Sequence, residues 1–215
     1  LAHLTIEKSL SRTTVESYAS DLKQFLIWLD TNKLNLENTS PENLNDFLND
    51  IAAASEYSPT TVARHFSSLR GFLTYTYRMQ FTPFLTDAML SAPKLIRYLP
   101  QCLSEDDITL IFERIEELSL QAQRDKALIE LLYSAGLRIS EALSLRLQDV
   151  DFENDWLTPI GKGNKQRLVP LGASAKQNLL EWINGDRKKL DIKSDCIILN
   201  PRGKPLSRMG AWKII

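Results

Sequence analysis

Ala135-Gly136-Leu137-Arg138-Ile139-Ser140-Glu141-Ala142-Leu143 places an arginine two residues after the glycine that closes an apolar, helix-periodic run. A glycine in that place suits a left-handed helix C-cap. Arg138 is therefore expected on a turn rather than on a regular helix face, flanked by the apolar Leu137 and Ile139. A planar guanidinium held there can engage two phosphate oxygens at once. The same arginine can also serve in a structural ion pair with Glu141, since such pairs are common. Lys162 follows 24 positions after Arg138, inside Gly161-Lys162-Gly163-Asn164-Lys165-Gln166-Arg167. The runs Trp156-Leu157-Thr158-Pro159-Ile160 and Arg167-Leu168-Val169-Pro170-Leu171 stand on either side of that Gly/Asn segment. Two short apolar runs so joined predict a β-hairpin, with Pro159 and Pro170 confining its strands to edges or strand ends. The tip glycines permit close approach to another backbone, and Lys162, Lys165 and Arg167 can follow a phosphate strand. A lysine there can also donate a proton to a leaving oxygen. Gly/Lys turns serve as plain solvated surface too.

Outward from this stretch the chain reads as helical. Residues 11–32 carry Val15, Tyr18, Leu22, Phe25, Leu26 and Leu29 at one-face spacing, with Thr13 and Glu16 forming a capping-box pattern. Ser40-Pro41-Glu42 and Ser58-Pro59 each open a further helix, with serine as N-cap and proline at the first position. The third of these helices is expected to run to about Met79. Residues 83–100 hold prolines at 83, 93 and 100 with Lys94 and Arg97 between them, the composition of a linker. After it, Ser104 precedes Glu105, Asp106 and Asp107, acids suited to a first helical turn. Helices are expected to about 117, over 122–134, over 138–147 and over 173–190, with a strand at 196–199 and a last helix from Ser207.

Charge excludes a uniformly basic nucleic-acid binder, because 26 Lys+Arg face 27 Asp+Glu. The local balance differs. Residues 104–157 hold 5 basic and 13 acidic side chains, whereas residues 162–213 hold 12 basic and 4 acidic. That split is either a positive face that attracts phosphate or two ordinary solvated surfaces. Cys102 and Cys196 have no partner at metal-ligand spacing, so neither a zinc site nor a disulfide framework is indicated. With no apolar run near the length of a membrane span and no signal-peptide pattern, a soluble, cytoplasmic protein is expected.

The segments AGLRISEAL (135–143) and IGKGNKQRLVPLG (160–172), preceded by APKLIRYLPQCLSEDD (92–107), resemble the tyrosine recombinase (phage integrase) family, in its XerC/XerD branch and nearer the XerD wording. The resemblance extends over essentially the whole chain. It implies a mainly α fold. Residues 1–90 would form a helical, SAM-like core-binding domain, residues 91–103 a linker, and residues 104–215 a truncated α+β catalytic domain with a small antiparallel sheet. It implies that a tyrosine attacks a DNA phosphate to leave a 3′-phosphotyrosyl bond, which the partner strand's 5′-hydroxyl then displaces, with no metal or nucleotide cofactor. Arg138 would match the first catalytic arginine, stabilising charge on the phosphate. Lys162 would match the hairpin lysine that protonates the leaving 5′-oxygen. Glu141 is assigned to orienting Arg138, and Lys165 and Arg167 to contacts with the DNA backbone.

The family also uses a His-x-x-Arg pair, a further His or Trp, and the tyrosine. This chain has only His3 and His65, and its tyrosines are Tyr18, Tyr57, Tyr75, Tyr77, Tyr98 and Tyr133, none after Arg138. The expectation is a chain that binds double-stranded DNA but does not cut it, with the C-terminal catalytic part missing. In such a clamp Thr60, Thr61, Arg64, His65 and Arg70 on the third helix would meet phosphates or base edges, and Lys94 and Arg97 would lie along the backbone. The same residues also suit a solvated helix face. The full-length protein would act in a tetrameric synapse with a XerC-like recombinase, resolving chromosome dimers at a dif-like site. A phage or transposon integrase and a non-catalytic DNA-binding protein on the same fold are the alternatives.

Overall fold

Serine side chains set where the first helices begin. In the computed structural model, which describes residues 2–8, 10–82, 102–119 and 121–215, the chain divides into two compact units, Leu1–Pro100 and Gln101–Ile215. The first contains α1 (Ala2–Ile6), α2 (Arg12–Thr31), α3 (Pro41–Ala53) and α4 (Pro59–Arg78). Ser40 and Asn43 cap α3 reciprocally, Asn43 N–H donating to Ser40 Oγ at 3.3 Å and Ser40 N–H to Asn43 Oδ1 at 3.0 Å. Ser58 Oγ accepts from Thr61 N–H at 3.2 Å to start α4. At α2 the expected Thr13 box does not form. Ser11, in extended backbone, is the N-cap and accepts from Thr14 N–H at 3.3 Å, which leaves Thr13 inside the first turn.

The apolar faces of α2, α3 and α4 meet in one core. Phe25, Leu44, Phe47, Leu69 and Leu73 are all at most 2% exposed there. Full burial of each such side chain contributes about 1.5–3 kcal/mol, which offsets the entropy of ordering the helices.

The second unit contains α5 (Glu105–Leu118), α6 (Ala122–Tyr133), α7 (Ile139–Ser144), β1 (Val150–Asp151), β2 (Trp156–Leu157), β3 (Val169–Pro170), α8 (Ala173–Asn184) and α9 (Arg208–Trp212). The three strands form an antiparallel sheet in the order β1-β2-β3, with Val150 opposite Leu157 and Leu157 opposite Val169. Pro170 ends an edge strand, where its missing N–H breaks no ladder. The sequence reading did not include β1. It is joined to β2 by a turn in which Asp151 Oδ1 accepts from the Glu153 and Asn154 amides, each at 3.0 Å.

Two further expectations are corrected. Residues 196–199 form no strand of this sheet and carry only isolated bridges, Arg146 to Cys196 and Leu199 to Pro205. The carbonyls of Cys196 and Ile197 are taken by side chains, while Ile198 O accepts from Leu206 N–H at 3.1 Å. Trp182 Nε1 donates to Ile197 O at 2.8 Å, and Arg187 Nη2 donates to Cys196 O at 2.9 Å. The helix expected over 173–190 stops at Asn184, where Gly185 is the C-cap. A Cβ on Gly185 would lie 2.3 Å from Gln123 Oε1, the atom that accepts from Asp186 N–H, so the chain turns there into a short 3-10 helix, Asp186–Lys189.

The architecture is mainly helical with one small antiparallel sheet, the class the sequence predicts. Leu128, Leu131, Leu157, Leu179, Trp182 and Ile197 fill the core of the second unit. Among the described residues no helix is long and apolar enough to cross a membrane.

Candidate active site

The end of α6 turns the chain so that Arg138 projects outward from a buried base. Gly136 adopts φ +59°, and Leu137 N–H donates back to Leu131 O at 3.0 Å. Leu137 is then 4% exposed and anchors the turn, while the Arg138 side chain stays 75% exposed. Arg138 is the N-cap of α7, in extended backbone. Glu141 at the third helical position accepts the Arg138 backbone N–H on Oε2 at 2.8 Å and Arg138 Nη1 on Oε1 at 3.1 Å. A carboxylate at this helix start satisfies an orphan amide and faces the positive end of the helix dipole.

Glu141 is also the anchor of the hairpin. Arg167 Nη1 donates to Glu141 Oε1 at 2.7 Å and its Nη2 to Oε2 at 2.9 Å, a two-pronged contact. The Glu141 side chain is 3% exposed, against 38% for Arg167. The Arg167 guanidinium, followed by the two N–H groups of Arg138, overrides the cost of burial and draws the Glu141 carboxyl down to about 2. Glu141 is therefore ionised across the physiological range.

The hairpin closes through Gly161 N–H to Lys165 O at 2.8 Å and an Ile160–Gln166 bridge. Its tip is a single 3-10 turn, Lys162–Asn164, in which Gly163 has φ +76° and Asn164 φ +59°. Lys162 and Lys165 are exposed on it. A Cβ on Gly161 would sit 3.3 Å from Glu141 Oε1, so the residue beside Lys162 already lies against the carboxylate that holds Arg138. The structure thus joins Arg138, Glu141 and Arg167 in one cluster, with the Lys162 turn beginning next to it. Such a cluster can bind a phosphate at the outward face of Arg138 and offer an ammonium from the turn.

The residues expected in the first unit fall differently. Thr60 and Thr61 place their hydroxyls around Ser58 Oγ at the start of α4, 2.8 and 3.0 Å away. Arg64 donates to Ser17 O at 3.1 Å and pairs with the buried Asp21, with its side chain 37% exposed. Arg70 is exposed. His65 is corrected. Its side chain is 1% exposed, with Nε2 3.4 Å from Asp21 Oδ1 and its ring against Tyr57 and Phe47, so it belongs to the core and does not reach a ligand. Burial lowers its pKa against the opposing pull of Asp21. Lys94 and Arg97 lie outside the described residues.

Sequence reasoning did not find Asp21, or the bond from Arg167 to Glu141. The Arg-x-x-Glu spacing within α7 signals a local pair. Nothing in a single sequence signals a partner 26 residues away.

Residues 101–215 match the phage integrase family, and residues 1–80 match the phage integrase N-terminal SAM-like domain. Tyrosine recombinase XerD of Listeria innocua serovar 6a is 33% identical over 225 residues, covering 100% of this chain and 74% of that protein. Tyrosine recombinase XerC of Staphylococcus aureus strain JH9 is 31% identical over 212 residues, covering 99% of this chain and 71% of that protein. In fold the chain is similar to the XerH site-specific recombinase bound to a palindromic difH substrate, with TM-score 0.71 and 24% identity over 91% of this chain and 59% of that one. It is also similar to a lambda integrase dimer bound to a COC' core site, with TM-score 0.73 and 18% identity over 95% of this chain and 70% of that one.

Proposed function

Because the chain belongs to the phage integrase family of tyrosine recombinases, we propose that it is the DNA-binding and phosphate-activating part of a site-specific recombinase of the Xer kind. The observation that carries this reading is the Arg138–Glu141–Arg167 cluster with the Lys162 turn beginning beside it. In the reaction a tyrosine oxygen attacks a DNA phosphorus and the 5′-oxygen leaves, forming a 3′-phosphotyrosyl bond. The free 5′-hydroxyl of the other strand then attacks that phosphorus and the tyrosine leaves. Arg138 stabilises the charge that builds on the non-bridging oxygens, and Lys162 protonates the departing 5′-oxygen. Glu141 holds Arg138 by its backbone N–H and orients its guanidinium through Nη1. Lys165 contacts the DNA backbone beside the turn. Residues 1–90 act as the core-binding domain, with Thr60, Thr61, Arg64 and Arg70 on its DNA face, residues 104–215 belong to the catalytic domain, and Lys94 and Arg97 contact the DNA backbone. The protein works in the cytoplasm on chromosome dimers at a dif-like site, in a tetramer with a XerC-like partner. Kinship to both XerD and XerC at 31–33% identity favours this over a mobile-element integrase.

No tyrosine of the 215-residue chain follows Arg138, so this polypeptide binds duplex DNA without forming a phosphotyrosyl bond. The test is incubation with a dif-like duplex carrying a nick near the exchange point, read both by gel retardation and by denaturing gel. Retardation without a detergent-resistant adduct supports the reading. An adduct overturns the inactivity, and failure to retard overturns DNA binding.

A further inference from the structure

We propose that Arg167 is a positioning residue for Arg138, acting through Glu141, and that it fixes the Lys162 hairpin in register with the Arg138 turn. The proposal rests on the recombinase reading and assigns Arg167 a role other than the DNA-backbone contact expected from sequence.

Three observations carry it. The first is directional. Arg167 places one N–H on each oxygen of Glu141, at 2.7 and 2.9 Å, and so fixes the plane of the carboxylate. The Arg138 guanidinium meets that fixed plane through Nη1, at 3.1 Å, beside the backbone N–H of the same residue at 2.8 Å. Its remaining donors stay on the 75% exposed side, where a phosphate can approach.

The second is charge. One carboxylate shared by two guanidiniums leaves the cluster with a net positive charge. Without Arg167, Glu141 would neutralise Arg138 alone, and the pull on an incoming phosphate would fall.

The third is connectivity. Arg167 sits just before β3, next to the Ile160–Gln166 bridge that closes the tip turn, and Gly161 on the opposite side lies against Glu141, where a Cβ would be 3.3 Å from Oε1. Both legs of the Lys162 turn are thereby referred to the residue that holds Arg138. One buried carboxylate sets the relative placement of the two groups that the reaction needs.

The test is a double-mutant cycle on duplex DNA binding, using Arg138→Ala, Arg167→Ala and the double variant, each titrated against salt. Nitrogen NMR of the Arg138 guanidinium and carbon NMR of the Glu141 carboxyl are recorded on the same proteins without DNA. Arg167→Ala should weaken binding about tenfold, and the double variant should bind within about twofold of Arg138→Ala, because both act through one group. The Arg138 signals should shift in Arg167→Ala, and the midpoint of the Glu141 titration should rise. A direct backbone contact gives the opposite pattern. The losses then multiply, the salt slope drops by about 0.9 for Arg167→Ala even on the Arg138→Ala background, and the Arg138 signals stay in place. Either result overturns the proposal. If Arg167→Ala does not fold, Arg167→Lys keeps a cation against Glu141 but loses the fork, and the Arg138 shift is still expected. If the unaltered chain binds no DNA, the DNA-binding reading fails by itself, and the two NMR signals alone decide whether Arg167 positions Arg138.

Discussion

Arg167 holds Glu141 by both carboxylate oxygens, at 2.7 and 2.9 Å, and does so from a position 26 residues further along the chain. The contact makes the second unit sensitive to acid. The Glu141 carboxyl lies at about 2 when folded, below its ordinary value of 4.5, so its contribution to stability is complete above about pH 5 and is lost as pH falls towards 2. Thermal melts of the chain and of Glu141→Gln should differ by about 2 kcal/mol near neutrality and converge by about pH 2. Parallel melting curves across that range would contradict the assignment.

Asp21 gives the first unit a comparable centre. It is 2% exposed, pairs with Arg64 and lies 3.4 Å from His65 Nε2. Asp21→Ala should cost about 2–3 kcal/mol in urea unfolding by stranding the donors that face it. A change below about 0.5 kcal/mol would show that the pair is not formed.

His65 and Arg64 should separate in their effects. His65→Ala removes a buried ring packed against Tyr57 and Phe47 and should lower the melting temperature without altering the salt dependence of DNA binding. Arg64→Ala should weaken binding severalfold. Burial also lowers the His65 pKa below its ordinary 6.5, so the unfolded chain takes up the proton first and stability falls as pH drops through about 6.5. If His65→Ala changes the salt slope, the residue reaches DNA after all.

Lys162 is exposed on the hairpin turn, so Lys162→Ala should change stability by less than about 0.5 kcal/mol. In a recombinase that carries the nucleophilic tyrosine, the same change should slow strand cleavage about 10²–10⁴-fold. A substrate whose 5′-bridging oxygen is replaced by sulfur, a better leaving group, should restore much of that loss. No rescue would remove Lys162 from the role of acid.

The helix starts were legible because capping is local. Ser40-Pro41 and Ser58-Pro59 carry their own N-caps within four residues, and Gly136 carries its left-handed turn in a single residue. The Thr13 pattern failed because the helix starts two residues earlier, with Ser11 capping the Thr14 amide, and Thr13 is already inside the first turn. The strand expected at 196–199 failed for a non-local reason, since the guanidinium of Arg187 takes the Cys196 carbonyl and the indole of Trp182 that of Ile197. Likewise His65 reads as a polar residue on a helix, and only packing against α2 and α3 shows that it points inward. Motif spacing singles out Arg138 and Lys162 in the sequence, whereas the bond that links their two elements depends on how the hairpin folds back onto α7.

Phosphate binding by Arg138 is tested most directly by the binding of this chain to duplex DNA, measured by fluorescence anisotropy at several salt concentrations with Arg138→Ala alongside. The predicted result is binding that weakens linearly with log salt, with Arg138→Ala about tenfold weaker and its slope smaller by about 0.9. Absence of binding at low salt, or an Arg138→Ala curve that overlays the unaltered chain, would contradict it.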